Sequence, residues 1–469
     1  MDKLVKVAIV GAGVSGLKAA ETLISSGKIG KEEIVVLEAQ DHVGGRIQDS
    51  NIDQSKLEIA YALGAMWYHD SLVNSILYEL LESGLLKDDD VYCDDKDGPT
   101  YTSDGLLDMS GLQINRVMEE AGQFLQLYFK SNRPDASCDE VVKEYVNAHS
   151  HFLTQEQNQY IRRAMRYFEL WYGVPAEKAN GKMAMESHQG RNLLNKKGYT
   201  FLIDILKSKI PKSCILLSQP VKSITQLENS SKKIEVETKS GLKVTAEYLI
   251  VTVPLSILKL NETHDYGIKW NPPLPSPTRN FINTIDFAAL GKVIFEFNSV
   301  WWDPNEDHFL IIPDEIDSND WFNSDGSPKP FSFPALAINF SKIYNRGASL
   351  VVLTPAPLTD YLESYPDQSW TYFKPMLEKI SIKPMEDPIS TITSHWTTNP
   401  YIRGSYSVLL TKTDAENTSP DKLEGLKLGN DVIRFAGEHT IAEGAGCVHG
   451  AYDSGKREAA YILNELEKK

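Results

Sequence analysis

The sequence contains little cysteine. Its 469 residues include four, Cys93, Cys138, Cys214 and Cys447, which form no CxxC pair and have no paired spacing with histidine. Disulfide-stabilised and zinc-binding proteins place their cysteines in such pairs. We therefore expect four reduced thiols, and neither a disulfide framework nor a zinc site.

Long apolar runs and an excess of basic charge are also lacking. No segment approaches the roughly 20 apolar residues that a membrane-spanning helix needs, so no membrane partner is expected. The formal net charge of −16 argues against a nucleic acid partner, because phosphates would be repelled. The same charge would attract small cations, but it is equally typical of an ordinary soluble surface.

Targeting signals, internal repeats and low-complexity tracts are absent as well. The chain opens with an apolar strand pattern at residues 5–10, and its last residues, Glu467-Lys468-Lys469, are not the peroxisomal tripeptide. We therefore expect a cytoplasmic location. The length predicts two or three domains, whereas the composition predicts no particular oligomeric state.

A glycine-rich turn follows this first strand pattern. Gly11 permits a tight turn, Gly13 lets the backbone approach a pyrophosphate, and Gly16 lets the following helix pack closely on the strand. A second strand pattern at residues 34–37 delivers Glu38, which is placed to accept hydrogen bonds from an adenosine ribose. The complete unit predicts dinucleotide binding. An ordinary tight turn between a strand and a helix is the alternative.

A second glycine-rich segment lies near the C-terminus. Gly437 and Glu438 follow a strand pattern, and residues 444–446 precede a helical pattern at residues 447–467. Glycines here let backbone amides reach a ligand, and the helix N-terminus adds positive potential. A reduced isoalloxazine ring is anionic near N1 and C2=O, so such a terminus favours hydride acceptance. This segment therefore indicates that the predicted dinucleotide cofactor contains a flavin.

The periodicity changes between these two segments. Helical spacing dominates residues 106–172, and alternating strand patterns follow at residues 215–253. A proline-rich stretch at residues 272–277 marks a crossing between domains. Strand patterns return at residues 292–297 and 348–354.

Sequence blocks from residue 7 to residue 459 carry a family resemblance over most of the chain. They read GAGVSGLKAA, VVLEA with GGR, GAMWYHD, RYFELWYG, HQGRN, VTVPLSIL, ALGKVIFEF, HWTTNPYIRGSYS, and FAGEHT with GAGCVHGAYDSG. With these blocks the chain resembles the FAD-dependent amine oxidase family, and within it the fungal polyamine oxidases. Several blocks are general flavoprotein features, whereas ALGKVIFEF, HQGRN and the WYH block point to the polyamine branch.

The resemblance implies an α/β architecture with two domains that are both discontinuous in sequence. A Rossmann-like FAD-binding domain of the GR2 flavoprotein type would comprise residues 1–70, 199–270 and 395–469. An α+β substrate-binding domain would comprise residues 71–198 and 271–394. The active site is expected where the two domains meet.

The same resemblance implies an FAD site and no metal. Its expected cofactor contacts are Gly11, Gly13, Ser15, Gly16, Glu38, Ala39, Gly45, Arg46, Gly64, Ala65, Met66, Trp67, Val221, Trp396, Gly437, Glu438, Cys447 and Val448. Related monoamine oxidases tether the flavin through a cysteine just before a tyrosine, whereas Ser405 precedes Tyr406 here. We therefore expect noncovalent FAD, with Cys447 packed beside the ring.

Lys292 is the first catalytic candidate. Its neighbours in the strand pattern, Leu290, Val293 and Ile294 among them, are apolar, and a buried lysine is costly without a partner. From the residues alone, an edge-strand lysine that faces water is an equal alternative. The resemblance implies instead an ammonium that holds a water against flavin N5, where it assists hydride acceptance or reoxidation by oxygen.

His69 is the second catalytic candidate. A lone histidine is more often structural than catalytic. The resemblance implies that an acid or histidine at this place lines the catalytic tunnel and touches the substrate amine. An imidazole with a pKa of about 6.5 suits keeping a reactive amine neutral.

The remaining tunnel candidates bind substrate. They are Trp67, Trp171, His188, Asn192 and Tyr406. Aromatic rings offer an elongated substrate an apolar surface, and their faces attract ammonium groups. Core packing is an equal alternative for each aromatic residue, whereas the polar residues of HQGRN need partners when buried and are better candidates.

The predicted reaction is oxidation of a secondary amine in spermine, N-acetylspermine or spermidine. A hydride leaves the carbon beside the neutral nitrogen for flavin N5, the imine hydrolyses to an amine and an aminoaldehyde, and O2 is reduced to H2O2. Two alternatives stay open. One is another flavin oxidase that acts on a monoamine, an amino acid or methyl-lysine, and the other is a flavin-containing binding protein for an apolar ligand such as a steroid.

Overall fold

The computed structural model describes residues 3–131, 133–182, 189–227, 233–411 and 431–468, and the backbone of residues 427–428. The strands of this part, in chain order, are β1 (Lys3–Val10), β2 (Ile34–Leu37), β3 (Trp67–Tyr68), β4 (Val91–Tyr92), β5 (Thr100–Thr102), β6 (Gly105–Leu107), β7 (Leu193–Asn195), β8 (Ile215–Leu216), β9 (Val221–Gln226), β10 (Ile234–Thr238), β11 (Lys243–Val251), β12 (Lys269–Asn271), β13 (Asp286–Phe287), β14 (Leu290–Glu296), β15 (His308–Ile311), β16 (Ala335–Asn339), β17 (Ser349–Pro355), β18 (Ser390–Thr393), β19 (Ser407–Val408), β20 (Lys427–Leu428) and β21 (Ile433–Phe435).

The α-helices of the same residues lie mostly between these strands. They are α1 (Val14–Ser25), α2 (Ser75–Glu82), α3 (Ile114–Lys130), α4 (Cys138–His149), α5 (Gln155–Met165), α6 (Glu169–Tyr172), α7 (Thr200–Ser208), α8 (Leu255–Leu258), α9 (Ser276–Thr284), α10 (Phe340–Tyr344), α11 (Leu358–Ser364), α12 (Ser369–Leu377) and α13 (Val448–Glu467).

A mixed sheet carries both glycine-rich segments. Its strands follow the order β12-β9-β10-β11-β1-β2-β8, and β21 joins the C-terminal part of β11. β1 runs parallel to β11 and β2, whereas β10 is antiparallel to β9 and β11. β1 and β2 lie inside this sheet, so both read as apolar runs that are buried at their C-terminal ends.

Two glycines set the distance between α1, α13 and the first turn. A Cβ atom on Gly16 would lie 2.0 Å from the carbonyl oxygen of Gly11, and one on Gly455 would lie 2.2 Å from that of Ser15. No side chain fits at either position without a backbone shift. The two glycines therefore let α1 pack on its turn and α13 pack on α1.

A second sheet carries Lys292. Its strands follow the order β18-β14-β17-β16-β15-β5-β6, and all neighbours are antiparallel except β15 and β5. Its core is rich in aromatic residues, and Phe295 of β14 packs edge-on against Phe373 of α12. β14 lies in the interior of this sheet, because it pairs with β17 and with β18.

Helices α3 to α6 account for most of the helical spacing predicted at residues 106–172. Leu106 and Leu107 are exceptions that form a strand instead, because they belong to β6 and pair with β5. A short hairpin at the end of the second sheet uses these residues, so tertiary pairing overrides their local spacing. The mixed α/β fold class agrees with the prediction, whereas the division into two domains stays a prediction.

No helix within the described residues combines the length and apolar character that crossing a bilayer requires. Each of the four cysteines is free.

Candidate cofactor and active site

One cavity of about 1750 Å³, including open solvent at its mouth, is bordered by both glycine-rich segments. The predicted cofactor residues in its wall are Gly11, Gly13, Ser15, Glu38, Ala39, Gly45, Arg46, Gly64, Ala65, Met66, Trp67, Val221, Trp396, Gly437, Glu438, Cys447 and Val448. Gly16 is not a lining residue, because it packs against Gly11 instead. Lys292, His69 and Tyr406 line the same cavity.

The first turn presents backbone rather than side chains to this cavity. A Cβ atom placed on Gly13 would meet nothing within 4 Å, so Gly13 faces open space. α1 begins at Val14, and the first amides of a helix have no carbonyl partner earlier in that helix. This arrangement suits the pyrophosphate of a dinucleotide.

Glu38 stands directly after β2 and belongs to the same wall. Its carboxylate accepts hydrogen bonds from the amides of Ala12 at 2.6 Å and Gln40 at 2.9 Å. Burial raises the pKa of Glu38, and these amide bonds oppose that effect. The acid is thus fixed beside the glycine turn, where the sequence predicts a ribose contact.

Arg46 and Glu438 join the two predicted cofactor segments. Arg46 Nη1 donates to Glu438 Oε1 at 2.8 Å and to the carbonyl of Ser405 at 2.8 Å. Glu438 also accepts from Ser407 Oγ at 2.6 Å and from the amide of Gly446 at 3.1 Å. Burial opposes the charge on Glu438, but Arg46, His439 and the Ser407 hydroxyl lower its pKa below the ordinary value.

Lys292 lies inside the second sheet, because β14 pairs with β17 on one side and β18 on the other. Its side chain is buried, and Nζ donates to the carbonyls of Ala62 at 2.9 Å and Gly64 at 2.5 Å. The alternative of an edge lysine that faces water is therefore wrong. Burial lowers the pKa of Lys292 to about 7, and the charge of Asp49 opposes this effect.

His69 contacts another predicted tunnel residue. Its Nδ1 lies 2.9 Å from Asn192 Oδ1. An amide oxygen only accepts hydrogen bonds, so with this orientation of the Asn192 amide Nδ1 is the donor, and in a neutral ring Nε2 is then the acceptor. Asn192 does not line the cavity itself, so the structure places it behind His69 rather than beside a ligand.

The aromatic candidates differ in whether they line the cavity. Trp67 lines the cavity, and its Nε1 donates to Asp94 Oδ2 at 2.9 Å. Trp396 is buried in the wall and donates to the carbonyl of Leu63 at 3.1 Å. Tyr406 lines the cavity and its hydroxyl donates to the carbonyl of Trp171. The Trp171 side chain is 42% exposed and does not line the cavity, and His188 lies outside the described residues.

Several residues of this region were not predicted from the sequence. Asp94 belongs to an acidic stretch that reads as a solvated loop, yet it is half-buried behind Trp67, and burial raises its pKa. Lys239, Tyr266 and Tyr401 line the cavity, with the Lys239 ammonium 4.7 Å from the Tyr266 ring and the two tyrosine rings 5.2 Å apart. Tyr401 stands in one of the family blocks, whereas no local signal marks the others.

Asp70, Cys447 and His449 bring potential metal ligands within 4.8 Å of one another. A zinc-bound thiol must lose its proton, whereas burial raises the pKa of Cys447. Asp70 Oδ1 already accepts from the amide of Gln189 at 2.8 Å. These properties do not favour a metal, and none is assigned.

The cavity fits an FAD cofactor in three respects: an open backbone turn at a helix N-terminus, a fixed acid after β2, and a second helix N-terminus at Cys447. The sequence model of the flavin containing amine oxidoreductase family matches residues 14–463 of the chain.

Individual relatives extend over nearly the whole chain. The corticosteroid-binding protein of Candida albicans is 48% identical, over 99% of this chain and 97% of the relative. The human peroxisomal N(1)-acetyl-spermine/spermidine oxidase is 24% identical, over 98% of this chain and 95% of the relative. Wild-type putrescine oxidase bound to putrescine has a TM-score of 0.73 at 16% identity, covers 99% of this chain and 100% of its own, and supports the fold. The chain therefore belongs to the flavin containing amine oxidoreductase family, with FAD as its cofactor.

Proposed function

We propose that the chain oxidises a secondary amine of a polyamine such as spermine, N-acetylspermine or spermidine. The products are an imine, which hydrolyses to an amine and an aminoaldehyde, and H2O2 from O2. The observation that carries this proposal is the cavity wall, in which Lys292 and His69 stand with the predicted FAD contacts. The names of the polyamine-oxidising relatives support the same substrate class.

Bound FAD supplies the acceptor for the hydride and the electrons for O2. Lys292 supplies a proton-exchanging group, because its pKa of about 7 lets it change charge near neutral pH. The carbonyls of Ala62 and Gly64 hold its nitrogen in one place. A protonated Lys292 favours negative charge that develops in the cavity, and a neutral Lys292 accepts a proton.

His69 acts on the substrate amine. A hydride leaves readily only from the carbon beside a neutral nitrogen, so an ammonium substrate first loses a proton. Because Nδ1 donates to Asn192, Nε2 is the nitrogen that accepts this proton. Asn192 thus fixes the tautomer of His69.

A second cationic group distinguishes polyamines from monoamines, and Trp67 is a cavity residue whose ring can meet it. The Asp94 carboxylate is held behind Trp67, and burial raises its pKa. Asp94 does not line the cavity, so it acts on a ligand only by holding the Trp67 indole. The Trp67 ring offers the methylene chain an apolar surface and the ammonium a π face.

The test is peroxide release by the purified holoenzyme with spermine, N-acetylspermine, spermidine, monoamines and amino acids. We expect turnover of polyamines, and we expect Asp94→Asn to raise KM for spermine about threefold, because a neutral acceptor holds the Trp67 indole less firmly. Asp95→Asn is the matched control, because Asp95 is an exposed neighbour paired with Arg191. Bound FAD without turnover of any amine would contradict the proposal.

A second candidate function is binding of an apolar ligand such as a corticosteroid. The 48% identity to the Candida relative of that name favours it. Met66, Leu290 and Leu353 also give the cavity apolar walls. Equilibrium binding of labelled corticosterone to the holoprotein, with and without spermine, tests this candidate. Saturable steroid binding without amine turnover would replace the first proposal with the second.

A further inference from the structure

Asp49 lies next to the segment that holds Lys292. Its backbone forms a β-bridge with Ala62, whose carbonyl accepts the 2.9 Å hydrogen bond from Lys292 Nζ. Thr200 Oγ1, at the start of α7, donates to Asp49 Oδ2 at 2.8 Å. The carboxylate is therefore held by α7, and the backbone of Asp49 pairs with the residue whose carbonyl holds the lysine. Asp49 does not line the cavity.

The charges around this pair are few among the described residues. Burial lowers the pKa of Lys292, and Asp49 is the charged group that opposes this effect. Burial raises the pKa of Asp49, whereas Thr200 and Lys292 lower it and Asp204 raises it. The pKa of Tyr344 is raised, first by burial and then by Asp49. Asp49 and Lys292 therefore each favour the charged form of the other.

We propose that Asp49 is a positioning residue whose negative charge, held by Thr200 next to the segment that binds Lys292, favours the ammonium form of that lysine. The inference rests on the proposed role of Lys292 in flavin chemistry. Reoxidation of reduced FAD by O2 would transfer two electrons, and the H2O2 formed needs two protons. One proton would come from the reduced flavin and the other would come through the protein. A protonated Lys292 favours this step electrostatically. Without the Asp49 charge, the buried lysine would be neutral over more of the pH range, and the step would slow at a lower pH.

The experiment compares wild-type, Asp49→Asn and Asp204→Asn holoenzymes. Asparagine keeps the acceptor for Thr200 but removes the charge, and Asp204 is an exposed carboxylate beside Asp49. Two curves are recorded against pH: the absorbance of bound oxidised FAD, and the rate at which O2 reoxidises photoreduced enzyme. We expect the midpoint of both curves to move downward by about one pH unit in Asp49→Asn and to stay in place in Asp204→Asn. An unmoved midpoint in Asp49→Asn would overturn the inference.

A second variant tests the role of Asp49 if Asp49→Asn does not retain FAD. Asp49→Ser removes the charge but keeps a small polar group next to Thr200. We expect the same downward movement of both midpoints, and no movement would overturn the inference. Neither measurement uses an amine. A shifted midpoint in an enzyme that oxidises no polyamine would therefore refute the proposed function and leave the pairing of Asp49 with Lys292 intact.

Discussion

Arg46 Nη1 and Glu438 Oε1 form an ion pair of 2.8 Å across 392 positions of sequence. The pair joins the chain after β2 to the chain before α13, which are the two halves of the predicted FAD site. Glu438 is buried, and Arg46 opposes the cost of burying its charge. The pair therefore couples the shape of the cofactor site to the protonation of one acid.

Glu438→Gln should weaken both the fold and FAD binding. Breaking a buried pair costs about 3–5 kcal/mol, because the partner charge is left uncompensated. Urea unfolding of the apoprotein and the FAD dissociation constant measure the two effects, with Glu443→Gln as an exposed control. The lowered pKa of Glu438 contributes stability above its unfolded pKa of about 4.3, and this contribution is lost as pH falls. The Tm difference from wild type should therefore shrink below about pH 4, and a constant difference would contradict the assignment.

Lys292→Met should retain FAD but slow the flavin half-reactions sharply. The methionine fills a similar volume, whereas it lacks the proton-exchanging nitrogen in the cavity wall. Stopped-flow absorbance measures reduction by amine and reoxidation by O2 separately. Unchanged rates in both half-reactions would rule out the role of Lys292.

The stability of the same variant should depend on pH relative to wild type. The pKa of Lys292 is about 7 in the folded protein and about 10.4 in an unfolded chain. Between these values the unfolded chain holds a proton that the folded protein lacks, so wild-type stability rises with pH by up to about 1.4 kcal/mol per pH unit. Thermal unfolding of both apoproteins from about pH 7 to about pH 10 should show wild type gaining on Lys292→Met. A fixed Tm difference over this range would mean that the lysine is not buried.

Acid precipitation should give a colourless protein pellet and a yellow supernatant. Ser405 replaces the cysteine that tethers flavin in related monoamine oxidases, and a neutral hydroxyl is a weak nucleophile. Cys447 lines the cavity, but burial raises its thiol pKa and keeps it protonated. Yellow colour that stays with the washed pellet would show a covalent bond.

Gly455→Ala should destabilise the protein by about 1–3 kcal/mol, because the new methyl group would stand 2.2 Å from the Ser15 carbonyl oxygen. Gly122→Ala in α3 is the matched control, since a Cβ atom there meets nothing within 4 Å. That control should gain about 0.5–1 kcal/mol from helix propensity. Chemical denaturation measures both changes, and equal stability of the two variants would refute close packing of α13 on α1.

The sequence predicts secondary structure correctly where one continuous segment contains the whole pattern. The apolar run at residues 34–37 coincides with β2, and the helical pattern near the C-terminus coincides with α13 within one residue. Leu106 and Leu107 show the opposite case, because pairing with β5 decided their conformation. Spacing reports on local structure and contains no information about a distant partner.

The same distinction between local and tertiary information applies to the candidate site. Most predicted cofactor contacts stand in short glycine-containing blocks, and the structure brings them to one cavity. Lys292 left two interpretations open from its neighbours alone, and the pairing of β14 with both β17 and β18 decided between them. Trp171, which shares the aromatic character of Trp67, lies outside the cavity wall.

The sequence by itself determined the cofactor class and the family, because the glycine turn, the acid after β2 and the family blocks are local and ordered patterns. Only the tertiary structure decided which side chains share a cavity and which of them carry a charge. It placed Arg46 against Glu438, Asp94 behind Trp67, and Asp49 beside the segment that holds Lys292. These relationships join residues far apart in the chain, and burial and opposite charge act through space rather than along the sequence.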